Sequence, residues 1–280
     1  MHICKIFTTF VAFFEKFMEK ISKSQVKLVK SLQLKKFRDE LGLFVAEGEK
    51  CVAELTKSFE LVHLYREGEN ASRTEIEQMS GLKTPQGVVG VFKKRPISNF
   101  LSLRNDCFKF QISDLVLALD GIQDPGNLGT IIRTCDWYGV HDIFCSLDTA
   151  DCYNPKVVQA TMGALSRVRV HYVDLPSWLA SQKAPIYGTL LDGKDMYDVI
   201  SSSRDHEIPS IIVMGNEGNG ISPAVRTLVT HPIRIPSYPK NGASEHSGKS
   251  EEAPEVIESL NVSIATAIVL AEFRRQTSAL

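Results

Sequence analysis

The sequence predicts an α/β fold built on a mostly parallel sheet that is covered on both faces. Its second half alternates short apolar runs with helical patterns, from a strand expected at Leu115–Leu119 to a closing helix at Leu260–Arg275. This repetition is typical of parallel sheets. Three of the apolar runs end in tight polar loops, and ligands of such folds bind beyond the carboxyl ends of the strands. The three loops are therefore predicted to build one pocket.

Residues 21–95 are predicted to form a smaller α/β domain that precedes the sheet. A helix is expected over Gln25–Leu41, because leucines recur among polar residues and Gly42 follows as a stop signal. An apolar run at Leu43–Ala46 then leads into a second helical pattern. Strands and helices continue to alternate, as in a small α/β unit. A strand is expected at Leu61–Tyr65, a short helix at Glu75–Met79 and a strand at Val88–Phe92.

Residues 113–280 form the predicted sheet domain, and residues 96–112, which lack clear periodicity, are predicted to be a linker. The other expected strands of the sheet domain are Ile143–Ser146, Val168–Val173, Ile186–Leu191, Ile211–Met214 and Ile233–Ile235. Its other expected helical segments are Leu128–Tyr138, Lys156–Leu165, Ser177–Ser181 and Pro223–Val229. One segment breaks the pattern: residues 238–258 are rich in Gly, Ser, Pro and Glu, which predicts a mobile, solvated insertion.

Composition excludes several classes of protein. A hydrophobic content of 43% in 280 residues predicts a sizeable core and not a disordered chain. The 32 Lys and Arg nearly balance the 33 Asp and Glu, so a basic footprint over the whole protein is excluded, whereas a local one is not. Six scattered cysteines without CxxC spacing predict neither a zinc site nor disulfides, and they fit a reduced, cytoplasmic setting with no bound metal.

Residues 1–20 do not resemble the start of a domain. Their apolar stretch is too short to span a membrane, and no small-residue cleavage site follows it, so a signal peptide is not expected. Two acids, Glu15 and Glu19, argue against a transit peptide. The sequence therefore predicts a non-native extension, with Met18 as a candidate initiator, and no membrane partner.

The first polar loop runs from Asp120 through Asp124-Pro-Gly-Asn-Leu-Gly to Arg133. Its proline fixes φ, and its glycines allow the backbone to approach a ligand closely. Asn127 is either the N-cap of the following helix or a functional residue. Arg133 lies nearly two turns into that helix, where an arginine taken alone is usually a surface charge.

The second loop, Gly215–Gly220, has three glycines in six residues. It lacks the lysine of a P-loop and the spacing of a dinucleotide fingerprint. A simple turn accounts for the glycines but not for Glu217, because a strand end needs no carboxylate.

The third loop begins at Ile235 and, after the insertion, ends in Ser259-Leu-Asn. Ser259 is either the N-cap of the last helix or a functional residue.

The three loops together are far more specific than each is alone. They resemble, in order, the three signature motifs of the SpoU (TrmH) family of AdoMet-dependent RNA ribose methyltransferases, within the SPOUT superfamily. The matching residues are Asn127, Gly129, Arg133, Gly215, Asn216, Glu217, Gly218, Gly220, Ile235, Pro236, Ser259, Leu260, Asn261 and Ser263. Leu43–Lys50 resembles the start of the substrate-binding domain that many members carry. The acidic insertion departs from the family pattern and would repel phosphate near an RNA site.

The resemblance implies a fold, a cofactor and a reaction. The fold is a parallel sheet with a trefoil knot at its C-terminal end, and the reaction transfers a methyl group from S-adenosyl-L-methionine (AdoMet) to a ribose 2′-hydroxyl. The residues implied to contact AdoMet are Gly215, Ile235, Leu260, Thr189 and Ser259. The residues implied to serve catalysis are Arg133, Asn127, Glu217 and Asn261. The family also implies a homodimer, in which the arginine acts within its own subunit or across the interface.

The implied roles differ among the four catalytic candidates. Free arginine is a very poor base, so Arg133 is expected to stabilise the alkoxide and phosphate. Asn127 would orient the ribose or Arg133, and Glu217 would hold Arg133 or the backbone of the loops. Asn261, together with Ser259, would order the third loop.

A basic segment between Lys20 and Arg38 carries seven basic residues and no acid. Facing phosphate, Lys27, Lys35, Lys36 and Arg38 would give salt-dependent affinity for RNA; the alternative is a solvated helix face. The N-terminal domain favours ribosomal RNA over tRNA as the substrate. Two other functions stay open, a non-catalytic RNA-binding or ribosome-assembly factor on the same fold and a nucleotide-binding enzyme such as a kinase.

Overall fold

A computed structural model of the chain describes residues 20–95, 115–202, 209–238 and 259–277. The predicted linker 96–112 and almost all of the extension 1–20 and of the insertion 238–258 lie outside these ranges. The described residues form two sheets, one of three strands and one of six. We call residues 20–95 the N-terminal unit and the described residues from 115 onward the sheet unit.

The N-terminal unit combines a small antiparallel sheet with helices. Its strands are β1 (Leu43–Glu47), β2 (Leu61–Arg66) and β3 (Val88–Lys93), paired in the order β1-β3-β2. Its helices are α1 (Lys23–Ser31), α2 (Lys35–Leu41), α3 (Glu49–Thr56) and α4 (Arg73–Met79). Strands β2 and β3 and helix α4 confirm three predicted elements, and their bounds agree with the prediction within two residues at each end.

The single helix predicted over Gln25–Leu41 is wrong, because the chain turns between α1 and α2. A helix that ends leaves carbonyl groups without helical partners. The Arg38 guanidinium bonds the turn that follows α1, since Nη1 donates hydrogen bonds of 2.9 Å to the carbonyl oxygens of Leu32 and Gln33. Leu32, which caps the end of α1, is fully buried. A side chain of α2 thus stabilises a turn that the apolar periodicity did not predict.

The sheet unit confirms the predicted parallel α/β architecture. Its strands are β4 (Val116–Asp120), β5 (Asp142–Cys145), β6 (Arg169–Tyr172), β7 (Ile186–Asp195), β8 (Ile211–Gly215) and β9 (His231–Arg234). Its α-helices are α5 (Pro125–Trp137), α6 (Pro155–Thr161), α7 (Leu175–Ala180), α8 (Met196–Ser202), α9 (Pro223–Arg226) and α10 (Val262–Thr277). The strands lie in the order β6-β5-β4-β8-β7-β9, and every pairing is parallel.

Alternate residues of the central strand β4 face two different cores. Leu117 and Leu119 belong to a cluster that includes side chains of α5 and α10. Val116 and Ala118 belong to a second cluster, which includes Trp178 of α7. The sheet is therefore buried on both faces, as parallel sheets require. Within the described ranges, the helices are too short or too polar to cross a membrane.

Two stretches of the sheet unit differ from the prediction. Strand β7 continues to Asp195, with an irregularity between Thr189 and Lys194, and the unpredicted helix α8 follows it. The helix predicted to reach Leu165 ends four residues earlier, and a short 3-10 helix at Ala164–Ser166 replaces its last turn. The extension of β7 pairs with β9, a contact that local sequence patterns do not contain, whereas α6 ends where Met162 and Gly163 adopt positive φ.

A charged cluster at the start of β5 stabilises the edge of the sheet. Asp142 is buried, and its carboxylate accepts hydrogen bonds from the Arg169 guanidinium at 2.7 and 2.5 Å. His171 Nε2 lies 2.8 Å from the same carboxylate. Burial raises the pKa of Asp142, but the hydrogen bonds to His171 and Arg169 lower it more, so the pKa falls from 3.8 to about 2. The carboxylate therefore stabilises the fold only while it is charged.

Candidate active site

The three polar loops meet at the carboxyl edge of the large sheet. The first loop follows β4, the second follows β8 and the third follows β9. Strands β4 and β8 are neighbours, and β7 alone separates β8 from β9. Because the strands are parallel, all three loops leave the same edge of the sheet, where ligands of open α/β folds bind. The predicted convergence on one pocket is therefore confirmed for the described parts of the loops.

Three side chains connect the loops through hydrogen bonds. Asn127 Nδ2 donates to Glu217 Oε1 at 2.7 Å, which joins the first loop to the second. Asn261 Nδ2 donates to Asn127 Oδ1 at 3.0 Å, which joins the third loop to the first. Glu217 and Asn261 are exposed, and Asn127 between them is half-buried. The structure thus brings together three of the four residues predicted to serve catalysis, in the order Asn261–Asn127–Glu217.

The N-caps of α5 and α10 are not the residues suggested as alternatives in the sequence. Asp124 caps α5, since its Oδ1 accepts a hydrogen bond of 2.7 Å from the backbone N–H of Asn127. Asn127 is the third helical residue, so its amide is free to bridge the loops. Asn261 caps α10, because its Oδ1 accepts from the backbone N–H of Ser263 at 2.9 Å. The capping interpretations of Asn127 and of Ser259 are therefore wrong.

The second loop is organised by two residues that the sequence analysis gave no role. Asn216 Oδ1 accepts hydrogen bonds from two backbone N–H groups of its own loop, and Nδ2 donates to the carbonyl oxygen of Gly121 at 2.7 Å. Asp120 is buried at the end of β4, and its Oδ2 accepts from the backbone N–H of Ser222 at 2.7 Å. The signal for Asp120 was present, because a carboxylate that ends an apolar strand needs partners.

Gly215 has a packing role that explains why no larger residue fits. A Cβ at this position would overlap the backbone of Gly220 and Ile221. The loop closes there through backbone hydrogen bonds between Asn216 and Gly220, at 3.0 and 2.9 Å. Contact between Gly215 and a cofactor stays a prediction, since loop closure alone accounts for the glycine.

Arg133 does not join the cluster formed by the other three catalytic candidates. It is exposed on α5, six residues after Asn127, which corresponds to about 9 Å along the axis and about 120° around it. No hydrogen bond or ion pair connects its guanidinium to another residue of the described ranges. Glu217 is bonded to Asn127, and the predicted contact between Glu217 and Arg133 is not observed there.

Comparisons with known proteins identify the family. The SpoU rRNA methylase family matches residues 114–244, and the MRM3-like substrate-binding domain matches residues 23–75. A solved RNA methyltransferase of the TrmH family from Porphyromonas gingivalis is 32% identical, with a TM-score of 0.72 over 91% of this chain and 99% of that one. This chain belongs to the SpoU (TrmH) family.

Two further members resemble the chain over almost its whole length. The 23S rRNA (guanosine(2553)-2′-O)-methyltransferase RlmP of Bacillus subtilis is 28% identical over 275 residues, which cover 92% of this chain and 98% of that protein. The AdoMet-bound structure of an rRNA methyltransferase from Sinorhizobium meliloti is 29% identical, with a TM-score of 0.73 over 93% of this chain and 98% of that one. The predicted family, fold class and methyltransferase activity are confirmed, and the kinase alternative is excluded.

The residues predicted to contact AdoMet lie at the carboxyl ends of neighbouring strands. Thr189 stands where β7 stops pairing with β8, and its Oγ1 donates to the carbonyl oxygen of Val213 at 3.2 Å. Ile235 follows β9 and is half-buried, whereas Ser259 and Leu260 are exposed just before α10. Half of the Leu260 side chain faces solvent. Partly exposed apolar side chains such as Ile235 and Leu260 suit an adenine ring, so the residues fit the cofactor that the family implies.

The predicted RNA-binding residues divide into two groups. Lys27 on α1 and Lys35 and Lys36 on α2 are exposed, as contacts with phosphate require. Arg38 is only 1% exposed, and its guanidinium is paired with Asp151 at 2.8 Å. The prediction that Arg38 binds RNA is therefore wrong, because the guanidinium is buried and uses four of its five N–H donors within the protein.

Proposed function

We propose that this chain methylates a ribose 2′-hydroxyl of ribosomal RNA, with AdoMet as the methyl donor. The observation that carries the proposal is the chain of hydrogen bonds Asn261–Asn127–Glu217, which joins the three family loops at the sheet edge. The RNA class is supported by relatives that are named for 23S rRNA and match along nearly the full length of this chain. Methylation of tRNA is the weaker alternative.

The proposed reaction divides between the donor and the residues of this chain. Bound AdoMet supplies an electrophilic methyl group. The 2′-hydroxyl loses its proton to water as its oxygen bonds the methyl group, and the Arg133 cation stabilises the negative charge that develops on this oxygen and neutralises the adjacent phosphate. Asn127 and Glu217 align the first two loops, and Asn261 fixes the start of α10 beside them.

A homodimer with Arg133 acting across the interface accounts for the position of this residue. On α5, Arg133 points about 120° away from Asn127, which bridges the loops of its own subunit. A second copy related by two-fold symmetry would receive the guanidinium at its own loops.

Two further properties belong to the same proposal. One is the C-terminal trefoil knot of the family. The other is a cytoplasmic location, which is supported by the free and buried cysteines Cys51, Cys135, Cys145 and Cys152.

The proposed RNA-binding surface lies in residues 21–95. Lys27, Lys35 and Lys36 present exposed ammonium groups on α1 and α2, and their contacts with phosphate would be independent of sequence and weakened by salt. The first helix also carries Lys23 and Lys30, both exposed. The N-terminal unit then holds the RNA, and the sheet unit acts on one nucleotide.

Transfer of tritium from labelled AdoMet to ribosomal RNA, purified from cells that lack this protein, tests the proposal. Arg133→Ala should abolish transfer while calorimetry still detects AdoMet binding, because the arginine lies outside the cofactor residues. Arg275→Ala is the matched control, since this arginine is exposed at the far end of α10 and should keep full activity. RNA binding by the wild-type protein without transfer would instead support an assembly factor.

A further inference from the structure

The N-terminal unit is packed against the sheet unit through a shared apolar core. The Phe44 ring lies 4.8 Å from the Tyr153 ring, and the Phe59 ring lies 6.3 Å from it, measured between centroids. Phe44 is fully buried, although it belongs to β1 of the small sheet. The backbone N–H of Arg95 also donates to the Tyr153 hydroxyl at 3.2 Å. The two units therefore form a continuous interior and do not behave as modules joined only by a tether.

An ion pair between Arg38 and Asp151 crosses the boundary between the two units. Nε and Nη2 of Arg38 donate to Asp151 Oδ2 at 3.1 and 2.8 Å. The same guanidinium holds the carbonyl oxygens at the turn between α1 and α2, so it fixes both helices that carry the exposed lysines. Because the arginine is buried, removal of its partner would leave an uncompensated charge.

Asp151 belongs to a loop that is bonded to the first catalytic loop. The backbone N–H of Ala150 donates to the carbonyl oxygen of Ile122 at 2.8 Å. The Ser146 hydroxyl accepts from the backbone N–H of Gly121, also at 2.8 Å. Arg38 is therefore connected to the loop that contains Asn127 through one short, hydrogen-bonded segment.

Arg167 forms a second bridge between the units. Its Nη1 donates to Glu54 Oε2 on α3 at 2.7 Å, and its Nε and Nη2 donate to Asp136 on α5 at 2.8 and 2.7 Å. Asp136 lies three residues after Arg133 on the same helix. The N-terminal unit is thus tied both to the first catalytic loop and to the helix that carries Arg133.

We propose that Arg38 and Arg167 are positioning residues that hold the N-terminal unit as a rigid extension of the active site. RNA gripped by the exposed lysines then presents one ribose at a fixed distance from the three loops, and this distance selects the nucleotide. The inference rests on the proposed function. Its physical basis is that a rigid connection between two binding surfaces keeps the effective concentration of the second contact high, whereas a loose connection lowers it.

Kinetics with two RNA substrates test the inference. One variant is Asp151→Asn, which keeps the shape of the side chain. The other is Arg167→Gln, which should stay folded because the Arg167 side chain is half-exposed and its loss leaves no buried unpaired charge. The substrates are whole ribosomal RNA and a short hairpin that contains only the mapped target nucleotide. The variants should raise KM for whole RNA about tenfold, while kcat, AdoMet affinity and methylation of the hairpin change less than about twofold.

Arg169→Gln is the matched control, because it removes a paired arginine that lies wholly within the sheet unit. This control should leave both KM values unchanged. An unchanged KM for whole RNA in folded Arg167→Gln would overturn the inference, as would an equal rise for the hairpin. If the wild-type protein transfers no methyl group, the proposed function fails by itself. In that case small-angle scattering tests the two ion-pair bridges separately. If the bridges hold the units together, the maximum dimension of the protein should be larger in the two variants than in wild type, and unchanged in the control.

Discussion

Mixed dimers give a quantitative test of where Arg133 acts. If this arginine completes the loops of the partner, Arg133→Ala damages the partner's site. Glu217→Ala damages the loops of its own subunit, because Glu217 accepts the 2.7 Å bond from Asn127. A heterodimer of the two variants therefore contains one site with both defects and one site with neither. If Arg133 served its own loops, both sites of the heterodimer would stay defective.

The expected magnitude follows from a count of sites in a two-fold symmetric dimer. Random pairing of equal amounts gives about half heterodimers, each with one intact site of two, so about a quarter of the wild-type activity should return. The assay is tritium transfer after coexpression, with purification on two different affinity tags to isolate the heterodimer, which should reach about half of the wild-type rate. A purified heterodimer no more active than its parents would refute action across the interface.

Three further predictions concern single substitutions. Asn127→Asp places a second carboxylate against Glu217, and a repulsion of about 1–2 kcal/mol at this half-buried position should lower kcat about tenfold in single-turnover transfer; an unchanged rate would contradict the bridging role. Gly129→Ala puts a Cβ 2.5 Å from the Cβ of Ala160, so thermal unfolding should show a loss of about 1–3 kcal/mol. Asp142→Asn should cost stability in urea at neutral pH. Because the folded pKa of this carboxyl is lowered to about 2, the difference from wild type should persist above its ordinary value of 3.8 and disappear as the pH falls toward 2.

The order of elements was predictable because most of them bury one face. Strand β8 and all but the last residue of β4 are apolar, which is what burial on both faces of a parallel sheet demands. The sequence patterns failed where distant residues decide the local structure. The Arg38 guanidinium stays buried against the turn before α2 because Asp151 of the sheet unit pairs with it, and β7 is extended by pairing with β9. No window of neighbouring residues contains these contacts.

The candidate site was predictable in its residue types but not in its geometry. The resemblance of the three loops to the family motifs indicated Asn127, Glu217 and Asn261, and the structure brings them together. The sequence did not show which of several polar residues would cap each helix. Nor could it distinguish Arg38 from the neighbouring lysines, because burial depends on the opposite unit and not on the basic segment itself.

The hydrogen bonds between the loops have a consequence for ligand binding. A hydrogen bond that water can replace contributes only about 0.5–1.5 kcal/mol, so the two bonds of Asn127 favour the aligned loops by about 3 kcal/mol at most. Asn261 caps α10 and also bonds to Asn127, so order at the start of α10 and alignment of α5 reinforce each other. A ligand that orders one loop therefore stabilises the others, which couples AdoMet and RNA binding positively, with an upper limit near those ~3 kcal/mol.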